Sequence, residues 1–306
     1  MDTLTPQEVT AVMLTLGEKK AKQAYHVTFF KGWMAGWMVC FGAFLVQTWQ
    51  GGSGTLRTDY PAVVSLVGAF FFPVGLIMLV LTGQELVTAN FMVMPMALMK
   101  GRIKVWELPL NWLIVFFGNL AGALCLDAFM VHYSGLMTST MTTIAQSAAV
   151  TKTSEGWGPC VLRGIGCNFL VCSAVWLGTG ARETISKIAA LHFPVFLFVF
   201  LGFEHVVVNM YYVPVGMIAG AKVSSAKYIA QSLIPSFIGN VIGALLLGIP
   251  MVLFYHPPSL PLFNKLPGRS NSHESSETVV VDQSVDTGAG TLGDNIPETF
   301  PNGKKH

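Results

Sequence analysis

Gly202-Phe-Glu204-His205-Val-Val-Val-Asn209 lies inside an apolar run from about Ile188 to Ala221, and the only other Asp, Glu, Lys, Arg or His in that run is His192. A carboxylate, an imidazole and an amide at bilayer depth are each costly unless they face a partner or a water-filled cavity. Such a cluster therefore reads as a pathway for a polar solute. A second copy of its frame lies upstream in Glu85-Leu-Val-Thr88-Ala-Asn90. In each copy Asn follows Glu by five positions and Pro follows Asn by five, giving Glu85/Asn90/Pro95 and Glu204/Asn209/Pro214.

Composition sets the solvent. Of 306 residues, 52% are hydrophobic and 11% charged, where a soluble domain carries about 25% charged residues. The chain reads as a polytopic, all-α membrane protein. A net charge of +2, without a basic patch interleaved with aromatics, gives no sign of a nucleic-acid partner. The five cysteines sit in or beside apolar spans with no metal-ligand spacing, and they read as small packing residues. The sequence predicts neither a metal site nor a cofactor.

Six spans are expected. The run from about Ala62 to Met99 would be about 57 Å long as one straight helix at about 1.5 Å per residue, against a hydrocarbon core of about 30 Å. Pro73, Gly75 and Gly83-Gln84-Glu85 break it. Broken backbone at that depth is tolerated where it lines a cavity or is buried in protein. The run around Glu204 and His205 is the second broken helix. Unbroken spans are expected near 28–49, 108–130, 160–180 and 229–254.

Outside the spans, Thr5-Pro-Gln-Glu8 predicts a capped, amphipathic helix on the membrane surface within residues 1–26. Residues 27–256 read as the transport domain, with halves at about 27–130 and 160–256 joined by a polar linker holding Lys152 and Glu155. Residues 257–306 read as a disordered cytoplasmic tail. Lys and Arg concentrate at the N-terminus, at 100–104, at 182–187 and in the tail, which places both termini in the cytoplasm; Lys222 and Lys227 run against that assignment.

The halves repeat. Lys31-Gly32 and Val39-Cys40 answer Arg163-Gly164 and Val171-Cys172, Phe72-Pro73-Val74 answers Phe193-Pro194-Val195, and Gly118-Asn119-x-x-Gly122 answers Gly239-Asn240-x-x-Gly243. Three spans per half force opposite insertion, hence a 3+3 inverted repeat whose site lies where the two broken helices meet.

Phe72-Pro-Val-Gly75-Leu76, Thr82-Gly-Gln-Glu85-Leu-Val-Thr88, Cys167-Asn168 and Gly202-Phe-Glu204-His205-x-x-x-Asn209-Met210 together resemble the formate/nitrite transporter family, over the whole chain except the tail. The tail and general look are similar to the fungal nitrite-transporting branch. The resemblance implies an aquaporin-like protomer in a homopentamer. It makes His205 the central pore histidine and Thr88 its hydrogen-bonding counterpart. It makes Phe72, Leu76 and Phe198 constrictions, Lys152 a vestibule lysine that attracts anions, and Asn240 a pore-lining amide. The family's usual Phe before the Thr is replaced here by Val87, a change expected to alter the slit.

Weighed on their own, these residues have plainer readings too. His205 could bond a helix carbonyl, Thr88 could back-bond within its helix, and Lys152 could be a solvated loop charge. Glu85 and Glu204 would repel an anion, so they are expected to accept backbone N–H groups freed by the breaks, with Asn90 and Asn209 in similar structural work. The expected function is transport, at the plasma membrane, of small monovalent weak-acid anions, nitrite first and formate second, coupled to protons through His205. A formate- or lactate-type anion channel is the alternative. A neutral-solute pore, which osmotic swelling without an anion gradient would reveal, and a non-transporting scaffold are the rival classes. The residues show no constellation for catalysis.

Overall fold

The computed structural model describes residues 3–256, so the tail reading at 257–306 lies outside the described residues. Helix α1 (Pro6–Lys22) starts as its capping box predicts: the Glu8 N–H donates to Thr5 Oγ1 at 3.3 Å and the Thr5 N–H to Glu8 Oε2 at 2.7 Å. The first span is α2 (Tyr25–Gly52). The second breaks twice, into α4 (Pro61–Phe71), after the short α3 (Leu56–Asp59), then α5 (Val74–Leu81) and α6 (Val87–Met99). The third is α7 (Glu107–Leu126), continued by a π-turn at Asp127–His132.

The segment before the fourth span departs from expectation. It is not an extended polar linker but contains a 14-residue helix, α8 (Ser139–Lys152), capped by Thr138 Oγ1 on the Met141 N–H. Its Ser and Thr residues suggested a linker, yet Met141, Ile144, Ala145 and Ala149 form a buried stripe. The fourth span is α9 (Trp157–Gly180). The fifth splits into α10 (Thr184–Phe200) and α11 (Val206–Ile218), neither of which is long enough alone to be counted among the five helices that could cross a membrane unaided. The sixth runs through α12 (Ser225–Tyr228), a π-turn and α13 (Ile234–Tyr255).

The inverted repeat holds element by element and extends to α1 and α8. Helix α1 packs on α6, and α8 packs on α11. The largest helix contacts are α2 with α7 and α9 with α13, one pair per half. Both pairs approach so closely that a Cβ on Gly122 would stand 2.0 Å from the Trp33 carbonyl oxygen, and one on Gly243 2.2 Å from that of Ile165. Such small-residue contacts let helix backbones meet within a bilayer. One asymmetry remains. The helix is interrupted at Pro73, between α4 and α5, whereas α10 continues through Pro194.

Candidate functional site

Each break has the same construction. The chain turns at a left-handed glycine, Gly83 (φ 69°) or Gly202 (φ 70°), a conformation a side chain would strain. It then runs extended and re-enters helix at an N-cap, Leu86 in the first half (φ −106°, ψ 123°) and His205 in the second (φ −110°, ψ 121°). Leu86 is thus the pseudo-twofold mate of His205, and only one half contributes a titratable group at this position.

The glutamates do not meet the freed N–H groups, contrary to the sequence reading. Glu85 Oε2 lies 2.5 Å from Lys20 Nζ and accepts from Asn90 Nδ2 at 2.9 Å. Glu204 accepts from Lys152 Nζ at 2.6 Å and from Asn209 Nδ2 at 2.8 Å. Asn90 and Asn209 therefore orient the carboxylates, and they also reach Asn111 and Ser232. Both glutamates are buried with a cation beside them, which meets the requirement that a charge at depth be paired.

The freed backbone groups are taken by two asparagines. Asn119 Oδ1 accepts from the Val87 N–H at 3.0 Å, while its Nδ2 donates to the carbonyls of Gly32 and Glu85. Asn240 Oδ1 accepts from the Val206 N–H at 2.9 Å, and its Nδ2 donates to the carbonyls of Gly164 and Glu204. Asn240 is fully buried and lies apart from the walls of the pathway. It is a staple at the break rather than a pore-lining amide, because all its polar atoms are already engaged with backbone.

His205, Thr88, Phe72, Leu76 and Phe198 do converge. His205 Nε2 lies 3.0 Å from Thr88 Oγ1. Its Nδ1 accepts the Val208 N–H at 3.2 Å, the side-chain cap of α11. With Nδ1 occupied as an acceptor, the neutral ring carries its hydrogen on Nε2, which donates to Thr88 and leaves the threonine hydroxyl hydrogen available. Thr88 does not back-bond within α6. Its carbonyl is held from below by Asn168 Nδ2 at 3.0 Å. The Phe198 ring stacks on His205 (centroids 6.0 Å apart, 21° between planes) and meets Phe72 edge-on at 6.0 Å.

Phe72, Phe198 and His205 floor a vestibule of about 420 Å³, while Thr88, bonded to the imidazole, is fully buried and lines no part of it. Beyond the floor is a neck of about 10 Å³, lined by Val39, Leu76, Leu86, Val171, Val195 and Val208 with the two rings and His205. About one water is the most such a space holds, so a hydrated ion must shed its shell to enter. Lys152 lines the vestibule, but as the last residue of α8 with its Nζ on Glu204. The sequence reading placed Asn119 and Asn168 within motifs but gave neither a role, and it gave Lys20 none. A signal for Lys20 existed: it precedes Gly32 by 12 positions, as Lys152 precedes Gly164.

The comparison with known families decides the identity. The family described as formate/nitrite transporter matches residues 7–255. The chain belongs to the formate/nitrite transporter family. It is 39% identical over 255 residues to an uncharacterized transporter, YrhG, of Bacillus subtilis (strain 168), covering 82% of this chain and 93% of that one. It is 34% identical over 256 residues to a probable formate transporter of Methanothermobacter thermautotrophicus, covering 78% and 92%. Among solved structures, a pentameric formate channel with formate bound superposes at a TM-score of 0.66 and 29% identity, covering 76% of this chain and 98% of that one. As a formate/nitrite transporter family member the chain is an integral membrane protein, and its relatives are transporters and channels, not enzymes.

Proposed function

We propose that this family member carries small monovalent anions of weak acids, nitrite and formate, together with protons, through a pore in each subunit of a homopentamer. The observation that carries the reading is the vestibule floor: two aromatic rings with an imidazole stacked on one of them, its Nε2 3.0 Å from the buried Thr88 hydroxyl. A bare anion entering so small an apolar space loses its hydration with little in return. His205 offers a hydrogen bond at that point, and the Thr88 hydroxyl holds its ring. The ring takes a proton from the vestibule at Nδ1, releasing the Val208 N–H, and passes it to the anion, which crosses as the neutral acid while the ring returns to its neutral form. The pentamer is suggested by the relative with formate bound. Residues 27–256 are read as the transport domain, and the basic residues at the N-terminus, at 100–104 and at 182–187 favour cytoplasmic termini at a plasma membrane, with Lys222 and Lys227 running against it.

The test is flux into proteoliposomes offered nitrite, formate, lactate and hydrosulfide at several external pH values, with internal pH recorded. Uptake of nitrite and formate that rises as external pH falls, with internal acidification, is expected. Voltage-driven uptake without acidification overturns the proton link, and osmotic swelling without any anion flux overturns the anion reading.

A further inference from the structure

We infer that Arg57 is the residue that recruits the anion into the vestibule. This inference rests on the anion-transport reading above. The charged and titratable side chains lining the vestibule are Arg57, Lys152, Glu155, Arg163, Glu204 and His205, with the uncharged phenol of Tyr212. Lys152 is paired with Glu204 at 2.6 Å, and the Arg163 guanidinium donates to Glu155. Each of these pairs has no net charge. His205 is neutral while its Nδ1 accepts the Val208 N–H. Arg57, on the four-residue helix α3, is exposed and makes no side-chain ion pair or hydrogen bond with the described residues. Its neighbour Asp59 on the same helix does not line the vestibule.

The unneutralised charge of the vestibule is therefore the single cation of Arg57. Lys152, the residue that resemblance pointed to, is held by a carboxylate, and removing it would disturb the second break rather than simply remove an attraction. A guanidinium stays charged over the accessible pH range and is weakly hydrated, so it presents a constant attraction to an oxyanion. Acting across about 10 Å of partly aqueous space, one charge changes local anion concentration by roughly two- to fivefold. Being exposed, that attraction is screened by salt, and it acts on capture, not on passage through the neck.

The experiment measures initial formate uptake against formate concentration in uniformly oriented proteoliposomes holding wild type, Arg57→Gln or Arg57→Lys. Ionic strengths of about 0.01 M and about 1 M set screening lengths of about 30 Å and about 3 Å. Arg57→Gln is expected to raise the apparent KM roughly two- to fivefold at low salt with an unchanged maximal rate. That difference should vanish at high salt, and Arg57→Lys should keep the wild-type KM. A wild-type KM in Arg57→Gln at low salt overturns the inference, as does a fall in maximal rate that Arg57→Lys shares. Absence of wild-type flux of formate or nitrite overturns the transport reading itself, and this inference with it.

Discussion

Asn240 offers the sharpest quantitative test of how the broken helices are held. Replacing it by Ala removes three buried hydrogen bonds and leaves the Val206 N–H and the Glu204 carbonyl without partners, the Gly164 carbonyl keeping its bond within α9. A buried polar group so orphaned costs about 1–3 kcal/mol, giving about 2–6 kcal/mol for the two. The site is fully buried and off the vestibule wall, so water has no ready route to repair the loss. For a chain of this size about 2–4 °C of melting temperature accompanies each kcal/mol, and a fall of at least about 4 °C is expected. The assay is thermal unfolding of the purified protein in detergent, followed by tryptophan fluorescence. Asn119→Ala should fall by a similar amount, since Asn119 makes the same three bonds in the other half. A melting point within about 1 °C of wild type for both variants would refute the assignment of these amides as staples.

Breaking one buried ion pair by Lys152→Met leaves Glu204 uncompensated and should cost about 3 kcal/mol in the same melt; the double variant with Glu204→Gln should recover part of it, and no recovery would contradict the pairing. Phe72→Ala and Phe198→Ala open the neck, so lactate uptake relative to formate should rise in flux assays; an unchanged ratio would mean that the rings are not the constriction. The N–H of Thr5 holds the Glu8 carboxyl below its ordinary value of 4.5. A lowered folded value contributes stability that is full above that ordinary value and lost as pH falls through the lowered one. Amide protection of α1 in hydrogen exchange should fade on acidification and become pH-independent in Glu8→Gln; identical profiles would exclude the cap.

The sequence was most informative where physics is local. Glycine, glutamate and proline at fixed spacing within an over-long apolar run disclosed both breaks, because a helix interrupted at bilayer depth needs residues that an ordinary span avoids. The neck was reached through resemblance alone: with 21 phenylalanines in the chain, no periodicity selects Phe72 and Phe198. Who satisfies whom was not legible. Lys20 lies 65 positions from Glu85, and Asn119 lies 32 from Val87, and such pairings depend on how helices cross. Helix α8 was missed because its exposed face is polar and its buried stripe consists mainly of small residues and methionine. The matched frames already set Leu86 opposite His205, but that both are N-caps became visible only in the structure.

The most direct test of the account is Asn at position 205. His205→Asn keeps an N-cap able to receive the Val208 N–H and removes the titratable ring. Nitrite or formate uptake with internal acidification is measured in proteoliposomes holding wild type or the variant, after equal melting points show that both are folded. The account predicts that proton-linked uptake is lost in His205→Asn. Uptake that keeps its wild-type rate and pH dependence in the variant would contradict it.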